Sequence, residues 1–274
     1  MKVKIAVVQF EINQYKPDYN LMRAEKFIAQ AADSKADIIV FPEDFITGPI
    51  QLRLEEFADN SQKYCKHFQK LAKQYKINIV PGSIIEKASL GYYNTTYYID
   101  SKGEVKGKYK KINLWHPEKR YLNRGNEISV FNTKFGKIGL IICWDLMFPE
   151  IFRQMLRKGV NIVICPSYWT FEDASIGLKY DKNSDVNLVD SLCPARAFEN
   201  EIILVYANAS GKLELPNFQG KLLGHSQITT PFLGTLKKLD HQKEEMFIQE
   251  VDTDILKDAE RAYKIRYDIK NRIL

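Results

Sequence analysis

An α/β fold, in which mixed sheets are covered by helices on their outer sides, follows from three features of the sequence. Near-continuous apolar runs of strand length, among them residues 4–10 (KIAVVQF), 36–41 (ADIIVF) and 160–167 (VNIVICPS), read as strands buried on both faces. Segments of helical period alternate with these runs, and a strand-helix-strand order occurs in both halves of the chain. The tyrosine-rich stretch 94–111 carries a turn at Ser101–Gly103 between two β-rich runs, a hairpin that a purely parallel sheet would not contain.

Taken in order, the first strand is followed by 21–32, which places Leu21, Ala24, Phe27, Ile28 and Ala31 on one helical face. The next strand stops at Pro42, and a stretch rich in Leu, Phe and Lys over 51–76 reads as a helix. Residues 77–86 (INIVPGSIIE) continue as a strand into the hairpin. In the second half, 137–145 (KIGLIICWD) is an apolar strand, and 148–159 is a helix opened by Pro149 and closed at Gly159. Residues 160–167 form a strand, and 186–201 a helix that Pro194 should kink or interrupt. Three strands follow at 201–210, 224–231 and 246–252. The tail, about 252–274, is helical and basic, facing solvent or a partner.

With 274 residues, 45% of them hydrophobic and 27% charged, the chain buries a substantial core, which excludes global disorder. No linker rich in Gly, Ser or Pro divides it, so one domain over 1–274 is expected. The net charge of +6 lacks the basic stripe of a nucleic-acid binder. No apolar run approaches the ~18 residues of a membrane span. The opening residues carry no secretory signal pattern, so a cytoplasmic protein is expected. Cys65, Cys143, Cys165 and Cys193 form no C-x-x-C pair, which argues against zinc and redox pairs and suits a reducing compartment.

Chemistry points first to Cys143, at the end of an apolar strand and just before a helix whose first amides would favour a thiolate. A buried structural thiol is the alternative. A histidine base would have to be His116 or His225, since His67 and His241 fall in solvated stretches. Glu43 and Lys111 also sit at strand ends, which puts an acid, a cation and a thiol where one pocket can gather them.

The segments FPEDF, YKKINL and IICWDLMFPEIFR resemble the three signature blocks of the nitrilase, or carbon-nitrogen hydrolase, superfamily, in the family's order. VVQF, PSYW, ARAFEN, NASG and GHSQITTPFLGTL extend the likeness over nearly the whole chain. The resemblance implies a four-layer α-β-β-α sandwich and a homodimer or larger homo-oligomer, with the C-terminal segment at the interface. It also implies Glu43 as general base, Lys111 as the cation at the oxyanion and Cys143 as nucleophile. EKRYLNRG resembles the block that supplies a second glutamate in amidase members, which makes Glu118 that residue. Trp144 and Trp169 are expected to line the substrate pocket, while Asp145, Glu150, Arg153, Arg196 and Glu199 are expected to be structural.

The implied reaction is hydrolysis of a non-peptide carbon-nitrogen bond in a small linear amide through a Cys thioester, with no metal or organic cofactor. The nitrile-cleaving branch has Glu after Cys-Trp, where this chain has Asp145, which favours an amide. An N-carbamoyl amide hydrolase shares the same triad and is the alternative within the family. Outside it stand a papain-like thiol enzyme using His116 or His225, and a non-catalytic scaffold that keeps the fold. In water a glutamate is a poor base for a thiol, by roughly 4 pKa units or about 5 to 6 kcal/mol. The triad therefore requires burial to raise Glu43, and the Lys111 charge to favour the thiolate.

Overall fold

A computed structural model describes residues 1–215 and 218–271. The first half runs β1 (Lys2–Gln9), α1 (Pro17–Asp33), β2 (Ile38–Val40), α2 (Leu54–Phe57), α3 (Lys63–Tyr75), β3 (Asn78–Val80), β4 (Ser83–Ala88), β5 (Gly91–Ile99) and β6 (Val105–Lys110). The second runs β7 (Ser129–Thr133), β8 (Gly136–Leu140), α4 (Pro149–Arg157), β9 (Ile162–Ser167), α5 (Ser184–Asn200) and β10 (Ile203–Asn208). It continues through β11 (Lys212–Leu215), β12 (Phe218–Lys221), β13 (Gln227–Thr230), β14 (Gly234–Lys238), β15 (Glu245–Asp252), α6 (Ile255–Tyr263) and α7 (Ile265–Asn271).

Two mixed sheets result. One has the order β15-β1-β2-β3-β5-β4, with β6 paired to β5; the other is β14-β13-β10-β9-β8-β7. Side-chain alternation along β1 shows the layering. Val3, Ile5 and Val7 join the core between the sheets, with Ile138, Leu140, Ile162 and Ile164 of the second sheet. Ala6 and Val8 face the other way, onto Ala24, Ile28 and Ala31 of α1 and Phe68, Leu71 and Ala72 of α3. The second sheet is covered through Ile151, Phe152 and Met155 of α4 and Val189 and Cys193 of α5. The fold is thus the α-β-β-α arrangement that the resemblance implies. Among the described residues, no helix is long and apolar enough to cross a membrane.

Several elements depart from the reading of the sequence. The helix expected over 51–76 is broken into α2 and α3, because the buried Asp59 carboxylate accepts the N–H groups of Ser61, Lys63 and Tyr64 and starts a new helix there. The strand expected over 77–86 is two strands, since the chain turns at Pro81 and Gly82. Gly82 has φ +59°, and a Cβ there would lie 1.9 Å from the Pro42 carbonyl oxygen. Pro194 does not interrupt its helix: α5 runs unbroken from Ser184 to Asn200. The tail is helical to Asn271 with a break at Lys264, and Arg266 folds it back onto its own chain by donating to the carbonyls of Val160 and Glu201. Its last residues, 272–274, lie outside the described residues.

Candidate active site

The strand ends bring distant residues together. Glu43 follows β2 by one short turn, and its N–H donates to the Ser167 carbonyl at the end of β9 (3.2 Å). Lys111 follows β6 directly, its N–H bonded to the Asn94 carbonyl (2.9 Å) and its own carbonyl receiving the Gly125 N–H (2.8 Å). Cys143 lies three residues beyond β8 and opens a 3-10 turn over Cys143–Met147 with φ +47°. The strand expected to run to Asp145 therefore stops at Leu140. A left-handed backbone is uncommon for a residue with a Cβ and has to be held by its surroundings.

Two anchors hold it. The Asp145 carboxylate, fully buried, accepts from the Ile142 N–H (3.0 Å) and the Tyr109 hydroxyl (2.8 Å) on one oxygen. Its other oxygen accepts from the Asn113 N–H (2.8 Å) and side chain (2.9 Å). These donors flank Cys143 and Lys111, so one carboxylate ties the thiol-bearing and ammonium-bearing segments to each other. Arg196 secures the far end of the turn by donating to the carbonyls of Leu146 (3.0 Å) and Met147 (3.1 Å) while pairing with Glu199 (2.8 Å). Asp145, Arg196 and Glu199 thus have the structural character expected of them.

Lys111 is 1% exposed, Glu43 3%, Cys143 7% and Glu118 8%, so the constellation is a buried one. The Lys111 ammonium donates to Glu43 Oε1 (2.9 Å) and Glu118 Oε1 (2.9 Å). Glu118 is fixed in turn by the Trp115 N–H (2.7 Å), and Asn94 donates to Glu43 Oε1 (2.8 Å). Glu118 Oε2 also lies 2.8 Å from the ammonium, so Glu118 faces it with both oxygens and Glu43 with one.

Burial drives the Glu43 carboxyl above the usual glutamate range; the Lys111 charge opposes this and the Glu118 charge adds to it. Burial works against the Lys111 ammonium, yet Glu118 and Glu43, with Cys143, outweigh it and hold its pKa well above the ordinary value. At ~3 Å and an effective dielectric of about 20, each such pair attracts by roughly 5 to 6 kcal/mol, enough for two to offset the burial of one cation. Burial, then the Glu43 charge, pushes the Cys143 thiol well above its ordinary value, against Lys111 and the Tyr168 N–H. Lys111 therefore favours a thiolate as expected, but burial wins and the resting group is a thiol. The other cysteines are buried and free, with Cys65 pushed by burial to about 11 and Cys165 to about 12.

These groups open into a cavity of about 280 Å³. Glu43, Lys111, Glu118, Cys143, Trp144 and Trp169 all line it, as do Asp44, Trp115, Tyr121, Tyr168, Asp173 and the apolar Leu213, Leu215 and Phe218. The three tryptophans form one wall, with ring centroids 4.3 Å apart for Trp115 and Trp144 and 5.5 Å for Trp144 and Trp169. Neither candidate histidine base reaches this cavity: His225 pairs with Asp190 (3.3 Å), and His116 packs against the Trp115 ring. Among the described residues, no group of three or more His, Cys, Asp or Glu is arranged to hold a metal ion.

Sequence reasoning did not single out Asn94, Asp44 or Asp173. The available signal for Asn94 was an amide inside a Tyr- and Thr-rich strand, where a buried polar group must have partners.

Residues 4–261 match the family model described as carbon-nitrogen hydrolase. The 2-oxoglutaramate amidase of Bacillus subtilis is 32% identical, covering 85% of this chain and 84% of its own length. The N-carbamoylputrescine amidase of Arabidopsis thaliana is 30% identical over 91% of this chain and 86% of its own. Among solved structures, an amidase of the nitrilase superfamily from Nesterenkonia AN1 superposes with a TM-score of 0.78 at 25% identity, covering 97% of each chain. The same amidase has been solved in complex with butyramide.

Proposed function

The chain belongs to the carbon-nitrogen hydrolase family, the nitrilase superfamily with its amidase branches, and from that premise we propose that it hydrolyses the carbon-nitrogen bond of a small linear amide. The observation that carries this reading is the juxtaposition of Glu43, Lys111 and Cys143, all buried and all lining one cavity. The butyramide complex of the Nesterenkonia amidase supports an aliphatic amide of that size.

Because the resting thiol is neutral, attack and deprotonation occur together. Sγ of Cys143 bonds to the amide carbon as its proton passes to Glu43, whose raised pKa narrows the mismatch between the two acids. The charge appears on the substrate oxygen, where the Lys111 ammonium and the Trp144 backbone N–H receive it. Glu43 then gives its proton to the nitrogen, the carbon-nitrogen bond breaks, and ammonia or an amine leaves a thioester on Cys143. Water attacks the thioester, losing a proton to Glu43. Collapse expels the sulfur, which regains that proton, and frees the carboxylic acid. Glu118 holds Lys111 in line and offers its carboxylate to the substrate nitrogen.

A carbamoyl substrate is the second reading, favoured by the likeness to N-carbamoylputrescine amidase. A panel of amides and carbamoyl compounds, followed by ammonia release, tests the proposal, and carbon dioxide formation separates the two readings. Turnover lost in Cys143→Ala and Glu43→Gln is expected; undiminished turnover in either refutes the assignment. The four unpaired thiols support a cytoplasmic setting. The exposed Phe232 and Tyr263 of the tail, with tilted rings 5.4 Å apart, support assembly as a homodimer or larger homo-oligomer.

A further inference from the structure

The cavity that holds the triad has an unbalanced charge. Its described lining contains four carboxylates, Glu43, Asp44, Glu118 and Asp173, and one cation, Lys111. That cation is already engaged by Glu43 and Glu118. Burial, then the charges of Glu43 and Glu118, raise the Asp44 carboxyl well above the ordinary aspartate value. Asp173 is different. One of its oxygens accepts the Thr170 N–H (2.8 Å), and among the described residues no cation lies within ion-pair distance of it. Burial raises it to about 6 against the hydrogen bonds from Thr170 and the more distant Lys111 charge, so near neutral pH it is largely ionised, with no counter-ion against it among the described residues. Leu213, Leu215 and Phe218 give the same cavity an apolar wall.

Resting on the amide-hydrolase reading above, we infer that the substrate is a linear amide or carbamoyl compound whose far end is an ammonium, and that Asp173 receives that ammonium. An alkyl stem fits the apolar walls, and a cation offsets the cost of keeping Asp173 ionised in a partly dry site. An anionic end would meet carboxylates and no free cation, and like charge placed there is repelled. The selection is thus for a cationic substrate against an anionic one. Asp173 sets specificity and takes no part in bond cleavage.

The test uses amides of matched chain length ending in an ammonium, a methyl or a carboxylate, with wild type and Asp173→Asn, in which the asparagine oxygen still accepts the Thr170 N–H. The ammonium-ended amide should show kcat/KM higher than the methyl-ended one by roughly 10- to 100-fold, the range of a charged hydrogen bond. Asp173→Asn should erase that preference, with KM for the ammonium-ended amide rising roughly 10- to 100-fold more than KM for the methyl-ended one. A carboxylate-ended amide as the best substrate, or an equal loss for all three, overturns the inference. Calorimetry with butylammonium and butyrate gives an answer that needs no turnover. If no amide is cleaved, the hydrolase reading fails, while butylammonium binding to wild type more tightly than butyrate still supports Asp173 as its seat. Equal or reversed affinities overturn it, and this wild-type comparison stands if Asp173→Asn does not fold.

Discussion

Replacing Asp145 by Asn tests how the site is held together. The carboxylate accepts four donors, two on each oxygen, and an amide keeps only one acceptor atom. The least costly orientation leaves the amide oxygen toward Asn113, whose two hydrogen bonds survive, and turns the NH2 toward Tyr109, whose hydroxyl rotates to accept it. The Ile142 N–H then has no acceptor, and a buried orphan of this kind costs ~1–3 kcal/mol. Adding the lost charge assistance of the remaining bonds gives about 2 to 4 kcal/mol. For a chain of this length that corresponds to a melting point lower by roughly 5 to 10 °C. Ile142 immediately precedes Cys143, so the thiol shifts with it, and a displacement of ~1 Å costs on the order of 100-fold in rate. Thermal and urea unfolding measure the first effect and kcat/KM the second. A variant that melts with wild type and keeps its kcat/KM would refute the idea that Asp145 locks the two segments.

Lys111→Met leaves two buried carboxylates facing each other and removes the oxyanion donor. We expect kcat to fall by ~100- to 1,000-fold in an ammonia-release assay, with KM changing far less. Glu118→Gln tests the electrostatics of Glu43. The Glu118 charge raises the Glu43 pKa, so its removal lowers that pKa, and the acid limb of kcat/KM, which follows ionisation of Glu43, should move to lower pH. A limb that stays or moves upward contradicts the assignment of Glu43 as base. Gly82→Ala forces a Cβ against the Pro42 carbonyl beside Glu43, so both stability, by about 2 kcal/mol or more in urea unfolding, and activity should fall.

Much of this architecture is legible in the apolar runs. VNIVICPS and EIILVYANAS are buried on both faces and became central neighbouring strands, β9 and β10. What escaped was decided by single polar side chains acting through tertiary contacts. Asp59 ends one helix and starts another because its carboxylate is buried where three amides converge, and periodicity carries no trace of that. The end of β8 at Leu140 is set by Asp145, which draws the Ile142 N–H away from strand pairing. The meeting of Glu43, Lys111 and Cys143 in one cavity was legible as three strand ends plus a family likeness. Asp173 was not, because its position in the cavity depends on the 3-10 segment Phe171–Lys179, whose sequence has no strong period. The thiol's resting protonation was also hidden, since it turns on how completely the pocket is dry.

The proposed reaction stands or falls on whether Cys143 carries the acyl group. Rapid quenching of the enzyme with a turned-over amide, followed by intact-mass measurement and peptide mapping, reads this directly. A mass increase equal to the acyl group, located on Cys143 and absent from Cys143→Ala, is the predicted result. Steady turnover with no acyl-enzyme in single-turnover quenching, or an adduct on Cys65, Cys165 or Cys193, would contradict it.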